Sequence, residues 1–239
     1  MQDYILKGIV LRAIDWKEKD KLLTIFTAEH GVVSAALRGV RQTKSKLKFA
    51  TQPMCFAEFN LAGSGDVLTC TGASEIESFF AITQDYDKMV YASAMLEMIY
   101  LTAYKEPNVD LFVSLVRGLG GLCENVADGG VVFAKYCLDF LKCMGYALNF
   151  DTCKACGKVL GGDVCIDLRV GALMCKSHAN IDSIIIAKNT YELIKEINSL
   201  DYADLSKINL SDINIKDCIT PLIFDFNFLF DKRLKSIKV

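Results

Sequence analysis

The sequence predicts an α+β protein in which a small five-stranded β-barrel precedes an all-α helical domain that carries a zinc-binding insertion. Three observations predict this class. Short runs rich in β-branched and aromatic residues occupy the first 80 residues. From Asp85 onward, apolar residues recur with a helical period instead. Residues 151–180 contain two pairs of residues with the spacing of metal ligands. The chain has 239 residues and 52% hydrophobic content, which is enough for a sizeable core. We therefore expect domains at residues 1–80 and 81–239.

The first domain is predicted from five strand-like runs joined by turn signals. The turn "EHG" separates the second run from the third, and "GSG" separates the fourth from the fifth. Several short strands in about 80 residues are typical of a barrel or a sandwich, and a barrel also removes exposed edges. The predicted strands are 4–13, 21–28, 31–37, 54–62 and 66–76.

The second domain is predicted from apolar residues that recur with a period of about 3.6. From Asp85 onward, a single helical stripe collects Met89, Met95 and Ile99, and "EPN" ends this segment. The apolar faces are wide, as in a packed helical bundle. We expect the glycines of "GLGG" to interrupt a helix rather than to cradle a nucleotide. The later predicted helices are 109–124, 130–146, 187–200 and 218–237.

The chain lacks the sequence signals of export and of membrane insertion. It has no run of about 18 apolar residues, and "MQDYILKGIV" has neither the basic nor the apolar region of a signal peptide. We therefore expect a cytoplasmic protein without a membrane partner, in which most of the ten cysteines are reduced.

The segment "DTCKACGKVLGGDVCIDLRVGALMCKSH" has the spacing of a metal site. Cys153 and Cys156 form a CxxC pair, and Cys175 with His178 forms a CxxH pair after 18 intervening residues. Two such pairs supply the four soft ligands of a tetrahedral Zn²⁺. Cys165 is the alternative fourth ligand in place of His178, although it lies in the predicted strand "VCIDL". The other reading is that all of these are ordinary buried thiols.

Four protein ligands would close the metal to water, which predicts a structural zinc rather than a catalytic one. A zinc deaminase would need an HxE motif, but His30 is followed by "GV" and His178 by "AN". No GxxxxGK[ST] phosphate loop is present, so nothing in the sequence predicts an enzyme. The cysteines in apolar surroundings, which we expect in the core, are Cys55, Cys70, Cys123, Cys137, Cys143 and Cys218.

The charges of the chain are unevenly distributed, although the formal net charge is −2. Residues 1–50 contain ten Lys/Arg and five Asp/Glu, whereas the rest of the chain has 17 Lys/Arg and 24 Asp/Glu. No acidic residue occurs between Glu29 and Glu58. This pattern predicts a module that faces a polyanion, joined to an acidic body. The cations in that interval are Arg38, Arg41, Lys44, Lys46 and Lys48.

A basic loop that leaves a five-stranded barrel is the arrangement with which an OB-fold follows a phosphodiester backbone. Binding through such cations gives affinity with little sequence preference and weakens as salt rises. Trp16 is expected either to stack on a base or to cap the barrel core. The further candidate contacts on the barrel are Lys7, Arg12, Lys17, Lys19 and Lys21.

The stretch from Gly8 to Met54 resembles the N-terminal signature of the RecO family of bacterial recombination mediators. The likeness continues in "GYALNFDTCKACGK" and "GALMCKSH", and it covers nearly the whole chain. The sequence departs from the family pattern at His178, where the pattern has cysteine, and at Ala172, where it has a second glycine. The matching N-terminal positions are Gly8 to Arg12, Leu22 to Thr27, Gly31, Arg38, Gly39, Arg41, Lys44, Ser45 and Pro53.

The resemblance implies an N-terminal OB-fold, a central helical domain and a zinc-binding insertion. It also implies a non-enzymatic role in recombination: binding of single- and double-stranded DNA, strand annealing, and work with RecR to load RecA onto strands coated by single-strand-binding protein. Two other classes stay open on the residues alone. One is a protein-interaction adaptor whose basic loop meets an acidic protein, and the other is a zinc hydrolase with an open metal position.

Overall fold

Five β-strands close into a barrel in the N-terminal part of the computed structural model, which describes residues 2–103, 106–210 and 213–238. The spatial order is β1-β2-β3-β5-β4, with β4 returning to β1, and only the β3–β5 pair is parallel. The predicted five-stranded barrel is therefore confirmed, and the sandwich is not formed. The strands are β1 Asp3–Trp16, β2 Asp20–Thr27, β3 Gly31–Leu37, β4 Phe56–Ala62 and β5 Val67–Glu77.

The long strand β1 closes the barrel because it pairs with two neighbours. Its first half pairs with β4 from Asp3 to Ile9, and β2 pairs with it from Gly8 to Trp16. A register shift between Val10 and Arg12 bends the strand between these partners. Gly8 lies where the three strands meet, and an added Cβ there would lie 2.5 Å from the Ile25 Cγ2 atom. Only a glycine fits this approach without displacing a neighbour.

Inward-facing aliphatic and aromatic side chains fill the barrel, as the alternation along each strand predicts. Fully buried members of this core come from β1, β2, β3 and β4 and from the segments that flank them, and β5 adds Cys70, which is 5% exposed. The largest of them are Val10, Leu23, Ile25, Leu37, Phe59 and Leu61.

The second half of the described chain is mainly helical, and the predicted helices are confirmed, although the last one is much shorter at its C-terminal end than predicted. None of the described helices is both long enough and apolar enough to cross a membrane. The helices are α1 Tyr86–Thr102, α2 Val109–Glu124, α3 Gly129–Cys143, α4 Lys188–Ser199 and α5 Ile215–Leu229.

The chain divides into two compact units that are discontinuous in sequence. The barrel unit contains Met1–Gln84 and Leu96–Val113, and the helical unit contains Asp85–Met95 and Ser114–Val239. The long helices α1 and α2 therefore contribute residues to both units. The division at residue 80 into two domains stays a prediction.

The helix α2 continues through Gly118–Gly121, so the predicted interruption is wrong. These glycines allow close packing instead. An added Cβ at Gly118 would lie 3.2 Å from the Met95 Sδ atom, and one at Gly121 would lie 3.2 Å from the Val132 Cγ1 atom. Glycine weakens the helix intrinsically, but here it leaves space for side chains of the neighbouring helices.

Three helix ends differ by three residues or more from their predicted positions, and local backbone geometry explains them. The helix α3 ends at Cys143 because Gly145 adopts a φ of +87°, and its N–H donates to the Lys142 carbonyl. The helix α5 begins at Ile215 because the Asn214 side chain accepts the Lys216 N–H at 3.0 Å. The helix α5 ends at Leu229, eight residues before its predicted end, because Asp231 adopts a φ of +50° and the Lys232 N–H donates to the Asn227 carbonyl.

A small antiparallel sheet lies between α3 and α4 in sequence. It consists of β6 Val164–Asp167, β7 Ala172–Cys175 and β8 Ser183–Ile186, in the order β7-β6-β8. The central strand β6 is fully buried and is the one that the sequence predicts. The two outer strands were not predicted, and unlike β6 they are partly exposed.

Asp225 is an unusual feature of α5, because its side chain is fully buried. Neither of its carboxylate oxygens has a hydrogen-bond partner within the described part of the chain. Burial raises the pKa of this carboxyl from 3.8 to about 7. Folding therefore favours the protonated form, and ionisation of Asp225 opposes folding.

We predict that Gly8→Ala lowers the free energy of unfolding by about 1–3 kcal/mol, because the new methyl group overpacks the contact with Ile25. Gly65→Ala is the matched control, since no heavy atom lies within 4 Å of its added Cβ. Urea unfolding followed by circular dichroism measures both variants. Equal stability of the two variants would contradict the close approach at Gly8.

We predict that Asp225→Asn removes a pH-dependent loss of stability. The pKa of Asp225 is higher in the folded protein than in the unfolded chain. Protonated Asp225 therefore makes its full contribution to the free energy of unfolding below about pH 4, and this contribution is lost as pH rises through about 7. The stability of the variant relative to wild type should therefore rise by about 2–4 kcal/mol between pH 4 and pH 8.

The exposed Asp217 of the same helix provides the control for this measurement. Asp217→Asn removes a carboxylate that water already solvates, so at the higher pH it should change the unfolding free energy less than Asp225→Asn does. If the unfolding free energies of Asp225→Asn and wild type differ by the same amount at pH 4 and at pH 8, ionisation of Asp225 does not destabilise the folded protein.

Candidate nucleic-acid interface and metal centre

The basic segment 38–48 leaves the barrel at the end of β3 and is fixed against the turn between β1 and β2. The Gly39 N–H donates to the Asp20 carboxylate at 2.8 Å, and the Arg41 N–H donates to the Lys19 carbonyl at 3.1 Å. Gly39 has a φ of +65°, which allows the chain to turn there. This arrangement brings the cations of the segment beside those of the turn, although some 20 residues separate them in sequence.

Apolar residues anchor the same segment to the barrel core and leave its cations outside. Val40 and Ala50 are buried members of the core, and Leu47 packs against it. The cationic side chains next to these anchors lie outside the core. All five cations of the segment are exposed: Arg38, Arg41, Lys44, Lys46 and Lys48.

Some of these cations already have partners within the protein. The Arg41 guanidinium lies 3.2 Å from the Asp15 carboxylate and donates to the Lys17 carbonyl at 3.4 Å. Lys21 lies 3.8 Å from the same carboxylate. The Lys48 ammonium donates to the Thr43 carbonyl at 3.2 Å. Asp15 was not singled out from the sequence, and only its proximity to Arg41 in the fold identifies its role.

The other cations are open to a ligand. Within residues 2–103, 106–210 and 213–238, none of them forms an ion pair. They are Lys19 on the turn and Arg38, Lys44 and Lys46 on the segment. We call these four residues, together with Lys21, Arg41 and Lys48, the basic cluster.

The structure does not bring Arg12 into the basic cluster. Its guanidinium donates to the Tyr100 hydroxyl at 3.2 Å, and its Cζ atom lies 5.7 Å from the Tyr100 ring centroid. It lies four residues from Trp16 along β1, a distance of about 13 Å in an extended strand. Arg12 is therefore held beside α1, away from the β1–β2 turn.

Trp16 lies at the end of β1 and is half-buried. The Lys17 ammonium lies 5.0 Å from the centroid of its ring, which is within the range of a cation–π contact. One face of the indole is therefore occupied by a cation. Lys7 lies farther along the strand, directly opposite Glu58 on β4.

The four residues predicted as metal ligands lie together in the helical unit. Their donor atoms are all within 4.8 Å of one another. The Cys153 sulfur lies 3.6 Å from that of Cys175, and the Cys156 sulfur lies 3.9 Å from it. Two thiolates on one tetrahedral zinc would lie about 3.8 Å apart, so the spacing fits the ion. The His178 Nδ1 atom lies 3.9 Å from the Cys153 sulfur and 2.9 Å from that of Cys175.

Short local turns position these ligands. Gly157, with a φ of +72°, donates its N–H to the Cys153 carbonyl and closes the turn that carries Cys153 and Cys156. Cys175 ends β7, and His178 follows in a single 3₁₀ turn. Each ligand pair therefore lies on one tight turn, and the β6–β7 pairing holds the segment together.

Hydrogen bonding around Cys153 favours its thiolate form, which is the form that binds a metal. Burial opposes ionisation, but the N–H groups of Cys175, Cys156 and Ala155 donate to the sulfur and lower the pKa of Cys153 to about 6. Cys165, by contrast, is fully buried on β6 and lies outside the four-residue cluster. Burial raises the pKa of Cys165.

Four of the six remaining cysteines are core residues, as expected, and two are not. Cys55, Cys70, Cys137 and Cys218 are buried, and Cys123 and Cys143 are partly exposed. Burial raises the pKa of Cys55 and Cys218 to about 12. Such thiols stay protonated and unreactive at neutral pH.

Comparison with known proteins assigns the chain to a family. Residues 1–79 match the family model described as "Recombination protein O N terminal", and residues 83–223 match "Recombination protein O C terminal". The DNA repair protein RecO of Caldicellulosiruptor saccharolyticus is 30% identical over 91% of this chain and 88% of that protein. The DNA repair protein RecO of Bacillus mycoides is 30% identical over the same shares.

A third relative extends the similarity along nearly the whole chain. The DNA repair protein RecO of Clostridium perfringens is 26% identical over 97% of this chain and 95% of that protein. The two family models together cover both the barrel and most of the helical region. The chain therefore belongs to the RecO family of DNA repair proteins.

Proposed function

We propose that this protein is a recombination mediator that binds DNA through the basic cluster and anneals complementary strands. The observation that carries the proposal is the convergence of two basic segments on one edge of the barrel, joined by the hydrogen bonds of Gly39 and Arg41. Exposed cations at such an edge displace counterions from a phosphate backbone, which gives affinity without sequence preference. The proposed contacts are Arg38, Arg41, Lys44, Lys46, Lys48, Lys19 and Lys21, with Arg12 as an outlying contact.

Different members of the cluster have different roles in this proposal. Arg38, Lys44 and Lys46 contact phosphates directly, since they have no ion-pair partner among the described residues. Arg41 is a positioning residue, because Asp15 fixes its guanidinium. Annealing follows because the cations reduce repulsion between two strands brought onto one protein. The proposed role involves no catalysis, and the protein would act in the cytoplasm in association with the nucleoid.

The proposed partners follow from the family. Through RecR, the protein would load RecA onto single strands coated by single-strand-binding protein, and it would bind both single- and double-stranded DNA. The remainder of the chain beyond residue 50 is acidic, which favours contacts with proteins rather than with DNA over most of its surface.

The proposed cofactor is one structural zinc ion held by Cys153, Cys156, Cys175 and His178. The donor set and the spacing of the sulfurs fit a tetrahedral zinc, and all four positions would be occupied by protein. The zinc would stabilise residues 151–180, which have only short strands of their own. Cys165 stays the alternative to His178 in this proposal, but it would have to leave its buried position on β6.

The main alternative is an adaptor that has the same zinc site but whose basic cluster binds an acidic protein and no DNA. The exposed cations alone could bind either DNA or an acidic protein. A fluorescence titration with a labelled oligonucleotide at low salt separates the two functions, because the adaptor would show no binding.

We predict that the triple variant Arg38→Ala, Lys44→Ala, Lys46→Ala weakens binding of a labelled oligonucleotide about tenfold or more at moderate salt. The slope of log affinity against log salt should become shallower by about 2, because three cations no longer release counterions from a single strand. Fluorescence anisotropy at several salt concentrations measures both quantities.

The matched control is the triple variant Lys142→Ala, Lys188→Ala, Lys207→Ala, which removes the same charge from exposed positions of the helical unit. It should bind as wild type does. Wild-type affinity and salt slope in a folded Arg38, Lys44, Lys46 variant would reject the basic cluster as the DNA site.

We predict that purified protein contains about one zinc ion per chain and that a chelator lowers its melting temperature. Cys156→Ser should lose the metal, whereas Cys165→Ser should keep it, because only Cys156 belongs to the cluster of donors. Metal analysis of the dialysed proteins measures the content. Zinc loss in Cys165→Ser together with retention in His178→Ala would reverse the assignment of the fourth ligand.

A further inference from the structure

The seam between β3 and β5 closes the barrel along only part of β3. The two strands pair from Ser34 to Leu37, whereas β2 pairs with β3 along its whole length from Gly31. Within the described part of the chain, residues 31–33 therefore have a strand neighbour on one side only. Backbone N–H and C=O groups point alternately to the two sides of a strand, so some of these groups face away from β2. They form a short open edge, to which an extended segment can add as a further strand.

A cavity of about 230 Å³ opens beside this edge. Its volume lies below the range of about 300–1,000 Å³ that is usual for drug-sized ligands, so it is suited to one or two side chains rather than to a cofactor. Val33 borders the cavity from β3, and residues 64–66 border it from the β4–β5 loop. A strand added to the edge would direct alternate side chains toward the barrel, where the cavity would receive one of them.

The floor of the cavity is apolar and continuous with the barrel core. Leu6 is a buried member of that core, and Tyr4, Val33 and Leu68 line the cavity while they pack against the core. The Tyr4 ring meets the His30 ring edge-on with centroids 5.5 Å apart, which fixes one wall. An apolar side chain in the cavity would therefore extend the existing core. A ligand that offers both a backbone for the edge and an apolar side chain for the cavity is a peptide.

The directions of the strands give the two ends of the barrel opposite charges. The start of β1, the β2–β3 turn and the β4–β5 loop lie at one end, and the Gly63 N–H donates to the Gln2 carbonyl there at 3.0 Å. The basic cluster lies at the other end, beside the β1–β2 turn and the end of β3. The first end has three acidic residues and no lysine or arginine in its segments, which are 2–6, 27–33 and 62–68.

The carboxylates of Asp3 and Glu29 decide which peptide fits the site. Both residues are exposed, and neither forms an ion pair with a residue in the described part of the chain. Asp66 already interacts within the protein and is not needed for this attraction. Carboxylates with no cation beside them attract lysine and arginine side chains and repel phosphates. A basic peptide is therefore favoured over an acidic one and over a nucleic acid.

We propose that the open edge of β3 and the adjoining cavity bind an extended basic segment of a partner protein, which adds to β3 as a short strand. One apolar side chain of the segment enters the cavity, and its lysine or arginine side chains pair with Asp3 and Glu29. The site lies at the opposite end of the barrel from the basic cluster and does not depend on the proposed DNA-binding function. A partner bound there leaves the basic cluster accessible.

The test selects ligands from a phage-displayed library of random linear peptides, with the full-length protein as the target. The blocking variant is Gly65→Trp, because no heavy atom lies within 4 Å of an added Cβ at this border of the cavity, so the indole can cover the opening. The charge variant is Asp3→Lys, Glu29→Lys. The matched control is Glu192→Lys, Glu196→Lys, which reverses two exposed charges on α4.

We expect the selected peptides to alternate apolar residues with lysine or arginine. A fluorescein-labelled synthetic copy should bind the wild type and the control equally in an anisotropy titration. Gly65→Trp and the charge variant should each weaken its binding about tenfold or more, because the first fills the space for the side chain and the second replaces attraction by repulsion.

Two further copies of the peptide test the added strand itself. Each carries N-methyl groups on one of the two alternating sets of backbone amides, and only the set that faces β3 takes part in pairing. One copy should therefore lose binding, while the other keeps it. Binding of the unmodified peptide should also slow the hydrogen exchange of the amides in residues 31–33.

Several outcomes would overturn the proposal. It is wrong if the library yields no peptide, if every selected peptide binds folded Gly65→Trp as tightly as the wild type, or if the cavity-dependent peptides are acidic. It is also wrong if the two methylated copies bind alike. If Gly65→Trp does not fold, the charge variant and the methylated copies decide the question. Gly65→Trp should bind a labelled oligonucleotide as the wild type does, and a tenfold loss of that affinity would assign the cavity to DNA instead.

Discussion

The pair of hydrogen bonds between the loop after β3 and the β1–β2 turn is the constraint on which the basic cluster depends. The Gly39 N–H donates to the Asp20 carboxylate, and the Arg41 N–H donates to the Lys19 carbonyl. The loop is therefore anchored without the use of any lysine or arginine side chain. The cations can then stay outside, although like charges repel one another. Asp15 offsets part of that repulsion by pairing with Arg41 and Lys21. The remaining positive charge is what a polyanion would neutralise.

The candidate metal centre shows a similar division between a buried strand and the turns next to it. The β6 strand is fully buried and lies outside the cluster of donors, whereas the turn that precedes the sheet and the turn that follows β7 carry the donors. A segment of this length with three four-residue strands has little apolar surface to bury. Metal ligation is a strong local restraint in such a case, because it ties two distant turns together. The buried Cys165 then acts as a core residue of the sheet.

The sequence predicted the elements of this fold better than the contacts between them. Strand alternation located all five barrel strands, and the ligand spacing located the metal cluster, because both signals are local. The prediction that the glycines of α2 interrupt a helix was wrong, because these glycines make room for Met95 and Val132 on other helices. The Asp15–Arg41 pair and the Arg12–Tyr100 contact join residues 26 and 88 positions apart. Such pairs leave no periodic trace in one sequence, and only the fold brings them together.

The distribution of charge explains why a chain with a net charge of −2 can be suited to DNA. At physiological ionic strength the screening length is about 8 Å, so a phosphate responds to the few charges closest to it and hardly to the total. What matters is therefore how cations are grouped. In the proposed function, the basic cluster on one barrel edge would attract a strand locally, while the acidic surface elsewhere would repel it. A strand would thereby be restricted to that edge, which random adsorption to a uniformly basic protein would not achieve.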